Sequence, residues 1–181
     1  MSDGREDRLA IDAVAETLAL KAVDRAGWVR RGVTRPESVA AHSWGIAWLV
    51  LLLLPEELDR ERALAYAVVH DLAEARVGDL TPHDGVSKAD KARLEAEALN
   101  AMSAHLPRGA AVRDLWHAYE AQADAEARFV RQLDRLDMAI QALVYAREGA
   151  DGMGEFVESA GKVVEDERLR EILDGVRRVI G

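Results

Sequence analysis

Residues 67–82 read Ala-Val-Val-His-Asp-Leu-Ala-Glu-Ala-Arg-Val-Gly-Asp-Leu-Thr-Pro, and this stretch sets the expected fold. Its apolar residues recur at helical spacing, yet His70 and Asp71 stand among them. An unpaired carboxylate buried in a core costs several kcal/mol, so it normally pairs with a cation or binds a metal. We therefore expect His70 and Asp71 to form part of a polar site inside a helical protein.

Two further polar residues lie in apolar helical stretches, His42 in Val39-Ala-Ala-His-Ser-Trp44 and Asp134 in Arg131-Gln-Leu-Asp134. The His-Asp pair alone is uninformative, since the chain has a second one at residues 83–84, and a single buried histidine is more often a core residue than a ligand. Two imidazoles and two carboxylates together, however, suit a divalent transition metal. Adjacent residues of a helix do not share a face, so His70 and Asp71 can reach one ion only near a helix end or bend.

The rest of the chain also follows helical spacing, and we find no convincing alternating strand. Ser38 and Ser87 are suited to helix N-caps, and Gly78 is suited to a helix end. The sequence predicts an all-α protein, a compact single domain over residues 1–181 with about six to eight helices. The expected helices cover approximately residues 8–23, 38–54, 58–77, 87–104, 114–122, 125–147 and 165–180.

Composition and charge narrow the possible functions. The chain has 181 residues and no cysteine, which excludes disulfides and thiolate metal sites and is consistent with the cytoplasm. The charged N-terminus lacks the layout of a signal peptide, and the longest apolar run, residues 46–54, is too short to span a bilayer. A net charge of −9 argues against binding nucleic acid polymers, although a small anionic substrate could still occupy a locally positive pocket.

The order His, His-Asp, distant Asp resembles the HD superfamily of metal-dependent phosphohydrolases, and more specifically its small single-domain 5'-deoxynucleotidases. The similarity runs through residues 27–42, 70–82 and 129–138, and the pattern His-Asp-x-x-Glu-x-x-x-Gly-Asp is its most specific part. The resemblance implies an HD-domain fold, a homodimer, and one divalent ion (Mn, Co, Ni, Fe or Zn) held by the four residues reached above, His42, His70, Asp71 and Asp134.

Two acidic residues near the His-Asp pair are catalytic candidates. Glu74 follows His70 by four residues, so both project from one helix face, where a carboxylate can transfer protons. The resemblance implies this role too; without it, a solvated helical glutamate is the better interpretation. Asp79 is either an ordinary turn residue or, as the resemblance implies, a contact to the substrate sugar or the attacking water.

Substrate-binding candidates come mainly from the segment before His42. Arg35, seven residues before it, is the best phosphate ligand because a guanidinium grips phosphate bidentately; Arg31 and Arg30 are second choices, and a surface arginine is the alternative. The resemblance implies that Trp28 crowds the ribose 2' position. Gly27 departs from the family pattern, which has an arginine beside this tryptophan, and Thr81 is expected to line the pocket.

The sequence thus predicts a metal-dependent phosphomonoesterase that hydrolyses (deoxy)nucleoside 5'-monophosphates with a metal-activated water. The alternatives are an HD-type phosphodiesterase or nucleoside triphosphate phosphohydrolase, or a non-catalytic nucleotide-binding HD module. Of the other histidines, His83 could contact substrate, whereas surface positions are expected for His105 and His117. The apolar face of the C-terminal helix could pack on the core or on a second subunit.

Overall fold

The computed structural model describes residues 3–180, so residues 1, 2 and 181 of the single-domain prediction lie outside the described range. Within that range no strand forms, and β-type pairing is limited to an isolated antiparallel bridge between Asp24 and Ser38. The helices in chain order are α1 (Asp3–Leu18), α2 (Ala26–Arg30), α3 (Val39–Leu53), α4 (Arg60–Val69), α5 (Glu74–Val77), α6 (Lys88–Ser103), α7 (Gly109–Glu120), α8 (Ala125–Arg147), α9 (Gly154–Ala160) and α10 (Glu167–Ile180).

The all-α prediction is confirmed, and seven of these helices have ten or more residues, within the predicted range of six to eight. The side chains of Ser38 and Ser87 accept hydrogen bonds from the first turns of α3 and α6, as expected for N-caps. The sequence interpretation missed α2 and α9, which lie in segments expected to be loops. Both are too short to be stable alone and form because they bury residues such as Trp28 and Phe156 in the core.

Helix α8 is the centre of the protein, since α3, α4, α7, α9 and α10 all pack against it. Its buried side chains include Val130, Leu133, Leu136 and Ala139, each without solvent-accessible surface. The C-terminal helix α10 contributes Leu169, Leu173 and Val176 to the same core, which settles the packing of its apolar face. This arrangement brings α3 and α4, which carry the two candidate histidines, against the helix that carries Asp134.

The predicted third helix is interrupted at the His70-Asp71 pair. Helix α4 ends at Val69, His70 is its C-cap, and the chain turns before α5 begins at Glu74. Gly78 follows α5 with φ of 78°, a left-handed conformation that glycine adopts without strain. The bend allows adjacent residues His70 and Asp71 to face the same point, which a continuous helix would prevent.

None of the helices within residues 3–180 combines the length and the apolar character needed to cross a bilayer.

Candidate metal centre and substrate cavity

Three of the four predicted metal ligands, His42, His70 and Asp71, form one cluster between α3 and the turn after α4, and Asp134 of α8 adjoins it beside His42. His42 Nε2 lies 3.2 Å from Asp134 Oδ1 and 4.0 Å from Asp71 Oδ2, and His70 Nε2 lies 3.0 Å from Asp71 Oδ2. The ligand atoms of His42, His70 and Asp71 all lie within 4.8 Å of one another. Atoms that share an ion at about 2.1 Å from each are themselves separated by about 3 to 4 Å, so these separations fit one ion.

Two buried nitrogen atoms support the fit. Among the described residues, neither His42 Nε2 nor His70 Nε2 has a hydrogen-bond partner, although both atoms are shielded from solvent. The nearby aspartate oxygens are within ion-pair distance but outside hydrogen-bond geometry. Native structures rarely leave buried polar atoms unpaired, and an ion is one standard explanation when they do. The cluster could therefore hold a divalent metal.

The other ring nitrogen of each histidine is already engaged. His70 Nδ1 lies 3.1 Å from the carbonyl oxygen of Ala67, and His42 Nδ1 lies 2.8 Å from Asp137 Oδ2. Each partner accepts a hydrogen bond from the protonated Nδ1, which leaves Nε2 as the free ligand atom. Both rings are oriented for metal binding by these hydrogen bonds.

The charges in the centre shift the pKa values of its members. Burial lowers the pKa of His42 and Arg25 lowers it further, but the carboxylates of Asp134 and Asp137 outweigh both and raise it to about 9. Burial alone would raise the pKa of Asp71, yet His70 and Arg25 hold it well below its usual range. The metal-free site thus keeps its aspartates ionised and favours a proton on His42, the position that a cation would replace.

Glu74 begins α5 and is 2% exposed, so the alternative of a solvated helical glutamate is not what the structure contains. Burial raises the pKa of Glu74 to about 10, and the charges of Asp71 and Asp79 add to the effect. Lys91 opposes it, with its Nζ atom 3.5 Å from Glu74 Oε1. A divalent ion held by the neighbouring ligands would lower this pKa, because it favours the carboxylate.

Arg25 joins the metal cluster to the loop after α5. Its Nη1 atom lies 3.4 Å from Asp71 Oδ2 and 3.8 Å from Asp79 Oδ1. Asp79 Oδ2 also accepts a hydrogen bond of 2.8 Å from the backbone nitrogen of Ala26. Asp79 is therefore not a free turn residue: it fixes the start of α2 and the guanidinium of Arg25 beside the cluster.

Arg25, Asp71, Glu74, Asp79 and Asp134 line a cavity of about 720 Å³, a volume typical of small-molecule sites, whereas His42 and His70 are not among its lining residues. One wall is apolar and contains Trp28, Met138 and Phe156. The charged lining is balanced, with six basic and five acidic side chains, although the whole chain carries −9. These are Arg25, Arg30, Lys88, Lys91, Arg135 and Lys162 against Asp71, Glu74, Asp79, Asp134 and Glu155.

Two of the substrate-binding candidates predicted from the sequence line the cavity, and two do not. Trp28 and Thr81 line the cavity. Trp28 is 2% exposed and donates from Nε1 to Glu37 Oε1 over 2.9 Å, while the Thr81 hydroxyl donates to Asp84 Oδ2 over 2.7 Å. Arg35 is exposed and does not line the cavity, and Arg31 lies outside the lining and pairs with Glu155.

The remaining histidines lie where expected: His83 is exposed at the cavity, and His105 and His117 are exposed elsewhere. Sequence reasoning missed Arg25, Lys91 and Asp137. The residues that carry the family resemblance begin at Gly27, two residues after Arg25. Lys91 lies in a charged stretch of α6, and nothing in its local sequence indicates that it reaches Glu74.

A family model described as HD domain matches residues 18–173. The match covers most of the chain, and together with the helical fold and the paired His and Asp residues it places the chain in the HD domain family.

Named relatives narrow the resemblance. The chain is 42% identical to the human protein 5'-deoxynucleotidase HDDC2 over 128 residues, which are 70% of this chain and 63% of that protein. It therefore spans less than two thirds of that relative's length. It is 34% identical to the Schizosaccharomyces pombe protein 5'-deoxynucleotidase hdd1 over 165 residues, which are 87% and 83% of the two chains. A solved structure from Magnetospirillum magnetotacticum, described as a predicted metal-dependent phosphohydrolase, superposes with a TM-score of 0.74 at 28% identity, covering 94% of this chain and 92% of that one.

Proposed function

We propose that the chain is a metal-dependent phosphomonoesterase that hydrolyses deoxynucleoside 5'-monophosphates to a nucleoside and phosphate. The observation that carries the proposal is the pair of buried Nε2 atoms of His42 and His70, which have no hydrogen-bond partner among the described residues. They lie beside Asp71 and Asp134, and these two aspartates line a cavity that Arg25 also lines. The names of the human and fission yeast relatives support the same activity.

His42, His70, Asp71 and Asp134 would hold the ion, which when bound acts as a Lewis acid and lowers the pKa of water so that a nucleophile is available near neutral pH. Two imidazoles and two carboxylates accept several ions, so we propose Mn, Co, Ni, Fe(II) or Zn without preference among them. Arg25 is the best-placed phosphate ligand, because its guanidinium is held beside Asp71 and lines the cavity.

Glu74 is proposed to transfer protons during hydrolysis. Its carboxylate is buried, lines the cavity and has one oxygen, Oε2, without a hydrogen-bond partner among the described residues. Asp79 is proposed to orient Arg25 and the start of α2, and through them the phosphate. Glu74 is thus free to exchange a proton, whereas Asp79 is committed to structural contacts.

The nucleoside is proposed to lie against the apolar wall that contains Trp28, Met138 and Phe156. Trp28 donates a hydrogen bond to Glu37 and packs on Phe156 with ring centroids 4.2 Å apart, so its ring has a fixed position in the cavity wall. Thr81 lies at the cavity as a further contact. The balanced charge of the cavity on an acidic chain favours a small phosphate ester over a nucleic acid polymer. The lack of cysteine is consistent with work in the cytoplasm.

A homodimer is also proposed, through the outer face of α3. Trp44 and Trp48 are 69% and 48% exposed and their rings stack with a 2° interplanar angle, while Leu51 and Leu52 extend the exposed face by one turn. Helix α3 contains no Asp, Glu, Lys or Arg, and its one histidine, His42, is buried, so no charged side chain of this helix favours solvation of the exposed face. Contiguous exposed apolar patches mark interaction sites, and a second copy of the chain is the partner that is always present.

The test is phosphate release by metal-stripped protein, restored separately with each candidate ion. Substrates are dAMP, dGMP, dCMP, dTMP, dUMP and AMP, with a deoxynucleoside triphosphate and bis(p-nitrophenyl) phosphate as other reaction classes. Asp71→Ala is the inactive control. Metal-dependent release from the deoxynucleoside monophosphates supports the proposal. Preference for the diester or the triphosphate would replace it with the corresponding phosphohydrolase, and tight metal binding without any turnover would replace it with a binding module.

A further inference from the structure

The imidazole of His42 is bracketed by two carboxylates from α8. Asp134 lies 3.2 Å from Nε2 on one side, and Asp137 lies 2.8 Å from Nδ1 on the other. The two aspartates are three residues apart, so they share one face of the helix. His42 itself has no solvent-accessible surface. Its ring orientation is therefore set by these two contacts and by packing.

The two histidines of the cluster are oriented by different means. The Nδ1 partner of His70 is the carbonyl oxygen of Ala67, and Trp116 Nε1 donates to the carbonyl oxygen of His70 itself. Because a backbone carbonyl orients the ring, no side-chain substitution removes the Nδ1 partner of His70. The Nδ1 partner of His42 is a single side chain, Asp137, so the free ligand atom of His42 depends on one replaceable residue.

Gly45 provides the space that Asp137 occupies. A Cβ atom at position 45 would lie 2.2 Å from Asp137 Oδ1 and 2.9 Å from its Cγ, far inside contact distance. A glycine inside a helix is unfavourable by roughly 0.5–1 kcal/mol relative to alanine. Gly45 in the middle of α3 therefore permits a close approach that alanine would block.

Glu37 is the other carboxylate near this contact, since the Glu37, His42 and Asp137 ligand atoms lie within 4.8 Å of one another. One oxygen of Glu37 is engaged by Trp28 Nε1, and its backbone nitrogen donates to the hydroxyl of Tyr145 over 2.8 Å. Glu37 thus supports the cavity wall, and the imidazole proton is left to Asp137, the nearer and directly bonded carboxylate.

We propose that Asp137 is a positioning residue for the metal centre: it holds the Nδ1 proton of His42, presents Nε2 to the ion and increases the basicity of the ring, and Gly45 makes room for it. The inference rests on the proposed metal centre. Carboxylates behind a ligating histidine fix its tautomer, and removing one typically lowers metal affinity by about 10- to 100-fold. Asp137 does not line the cavity, so it acts through His42 and not on substrate.

The test measures metal affinity directly, by competition between the protein and a chromophoric chelator for Co(II) and Zn(II), together with the visible spectrum of the Co(II) protein. Asp137→Ala is expected to lose about 10- to 100-fold in affinity and to change the Co(II) spectrum. Asp137→Asn, which keeps the shape and one acceptor oxygen, should lose less. Gly45→Ala should resemble Asp137→Ala, because it displaces the carboxylate without removing it.

Matched controls separate positioning from general damage. Asp174→Asn changes an exposed aspartate of α10, and Gly175→Ala changes a helical glycine whose added Cβ would make only an ordinary contact at 3.8 Å. Both should keep the wild-type affinity and spectrum. Circular dichroism of each metal-free variant establishes that it folds, and Asp137→Asn keeps the test informative if Asp137→Ala does not.

Affinity within twofold of wild type in both Asp137 variants, or an equal loss in the controls, would overturn the inference. So would two ions per chain, since Asp137 would then be a ligand of a second site. The readout is independent of turnover. If the wild type binds one ion but hydrolyses no phosphomonoester, the proposed function fails and the positioning role of Asp137 is still testable. If the wild type hydrolyses phosphomonoesters and the Asp137 variants keep the wild-type metal affinity, the positioning role fails and the proposed function stands.

Discussion

Arg25 Nη1 lies 3.4 Å from Asp71 Oδ2, which ties the segment before α2 to the turn that carries the His-Asp pair. The backbone holds this segment in place, because Arg25 N donates to the Glu37 carbonyl over 3.0 Å and Val39 N donates to the Val23 carbonyl over 2.8 Å. The residues before α3 therefore deliver a guanidinium to the metal cluster. Burial alone would lower the pKa of Arg25, but Asp71 and Asp79 raise it above its ordinary value, so the charge is permanent.

Replacing Arg25 by alanine is expected to reduce kcat/KM for dAMP by roughly 10- to 150-fold, since a hydrogen bond to a charged group contributes about 1.5–3 kcal/mol. Arg25→Lys should recover only part of the loss, because lysine cannot bind phosphate bidentately. Arg35→Ala is the matched control and should stay near wild type. Metal content is measured in each variant. A loss in Arg35→Ala equal to that in Arg25→Ala would return the phosphate role to the exposed arginine.

Glu74→Gln is expected to lower kcat by about 10²- to 10⁴-fold while metal affinity is retained, because the amide cannot transfer the proton. The same variant should be more stable than wild type in its metal-free form at neutral pH. The wild-type carboxyl has a pKa of about 10 in the folded state against 4.5 ordinarily, so unfolding allows it to ionise. Glutamine cannot ionise, so the unfolded state of the variant is not stabilised in this way. Steady-state kinetics and thermal melts of one preparation test both effects, and an active Glu74→Gln enzyme would exclude the proton-transfer role.

The pH dependence of the metal-free protein follows from His42 as well. Its folded-state pKa is about 9 and its ordinary value 6.5. Below 6.5 both states hold the proton; between 6.5 and 9 only the folded state does, so the free energy of unfolding falls as the pH rises, by on the order of 3 kcal/mol from this group. Glu74 acts in the same direction. Chelator-treated protein should therefore melt at progressively lower temperature across this window.

Metal binding should show the opposite trend. The ion needs neutral His42, so apparent affinity is expected to rise with pH up to about 9, and binding should release protons. Calorimetry in two buffers of different ionisation enthalpy counts the protons released. Affinity that does not change with pH would mean that His42 is not displaced from a protonated state and would weaken its assignment as a ligand.

Features of this protein that local sequence determines were predictable, and features that depend on long-range contacts were not. His42, His70, Asp71 and Asp134 were predictable as a group because each lies in an apolar helical stretch, where four polar residues together are costly to bury unless they share a partner such as a metal ion. The sequence predicts that the helix must end or bend near His70 and Asp71, because adjacent residues of a helix do not share a face. It does not predict that α4 ends at Val69. The short helices α2 and α9 were not predictable, because their stability comes from the contacts of Trp28 and Phe156 with other parts of the chain.

Long-range contacts also explain the missed functional residues. Arg25 is 46 residues from Asp71, Lys91 is 17 residues from Glu74, and Asp137 is 95 residues from His42. Local patterns cannot reveal such pairs. The glycine at position 27 looked like a missing arginine, but an added Cβ there would lie 3.1 Å from the ring of Phe156, and Arg25 supplies a guanidinium to the same cavity from two residues earlier.

The outer face of α3 gives a prediction about assembly. Trp48→Glu, alone or with Trp44→Glu, should convert a dimer to a monomer, because a carboxylate in an apolar interface is desolvated without a partner. Val179→Glu is the control, since Val179 is 58% exposed on α10, away from α3. Light scattering after size exclusion gives the mass directly. A wild-type monomer, or a dimer that persists in the double variant, would exclude this face as the interface.

Sugar selectivity is expected to depend on Trp28. In Trp28→Phe the wall is smaller and Glu37 loses the donor at 2.9 Å, so the kcat/KM ratio of dAMP to AMP should fall towards one. Stability should also fall, by about 1 kcal/mol, because a partly buried carboxylate oxygen loses its hydrogen bond. Tyr145→Phe separates the two effects. It removes the hydroxyl that accepts a hydrogen bond from the backbone nitrogen of Glu37 and keeps the ring that packs against Trp28. Tyr145 does not line the cavity. It should therefore lower stability and leave the dAMP to AMP ratio unchanged.

If both variants change the ratio equally, selectivity depends on the position of the whole segment and not on the bulk of Trp28. If neither variant changes it, Trp28 does not discriminate at the 2' position of the sugar.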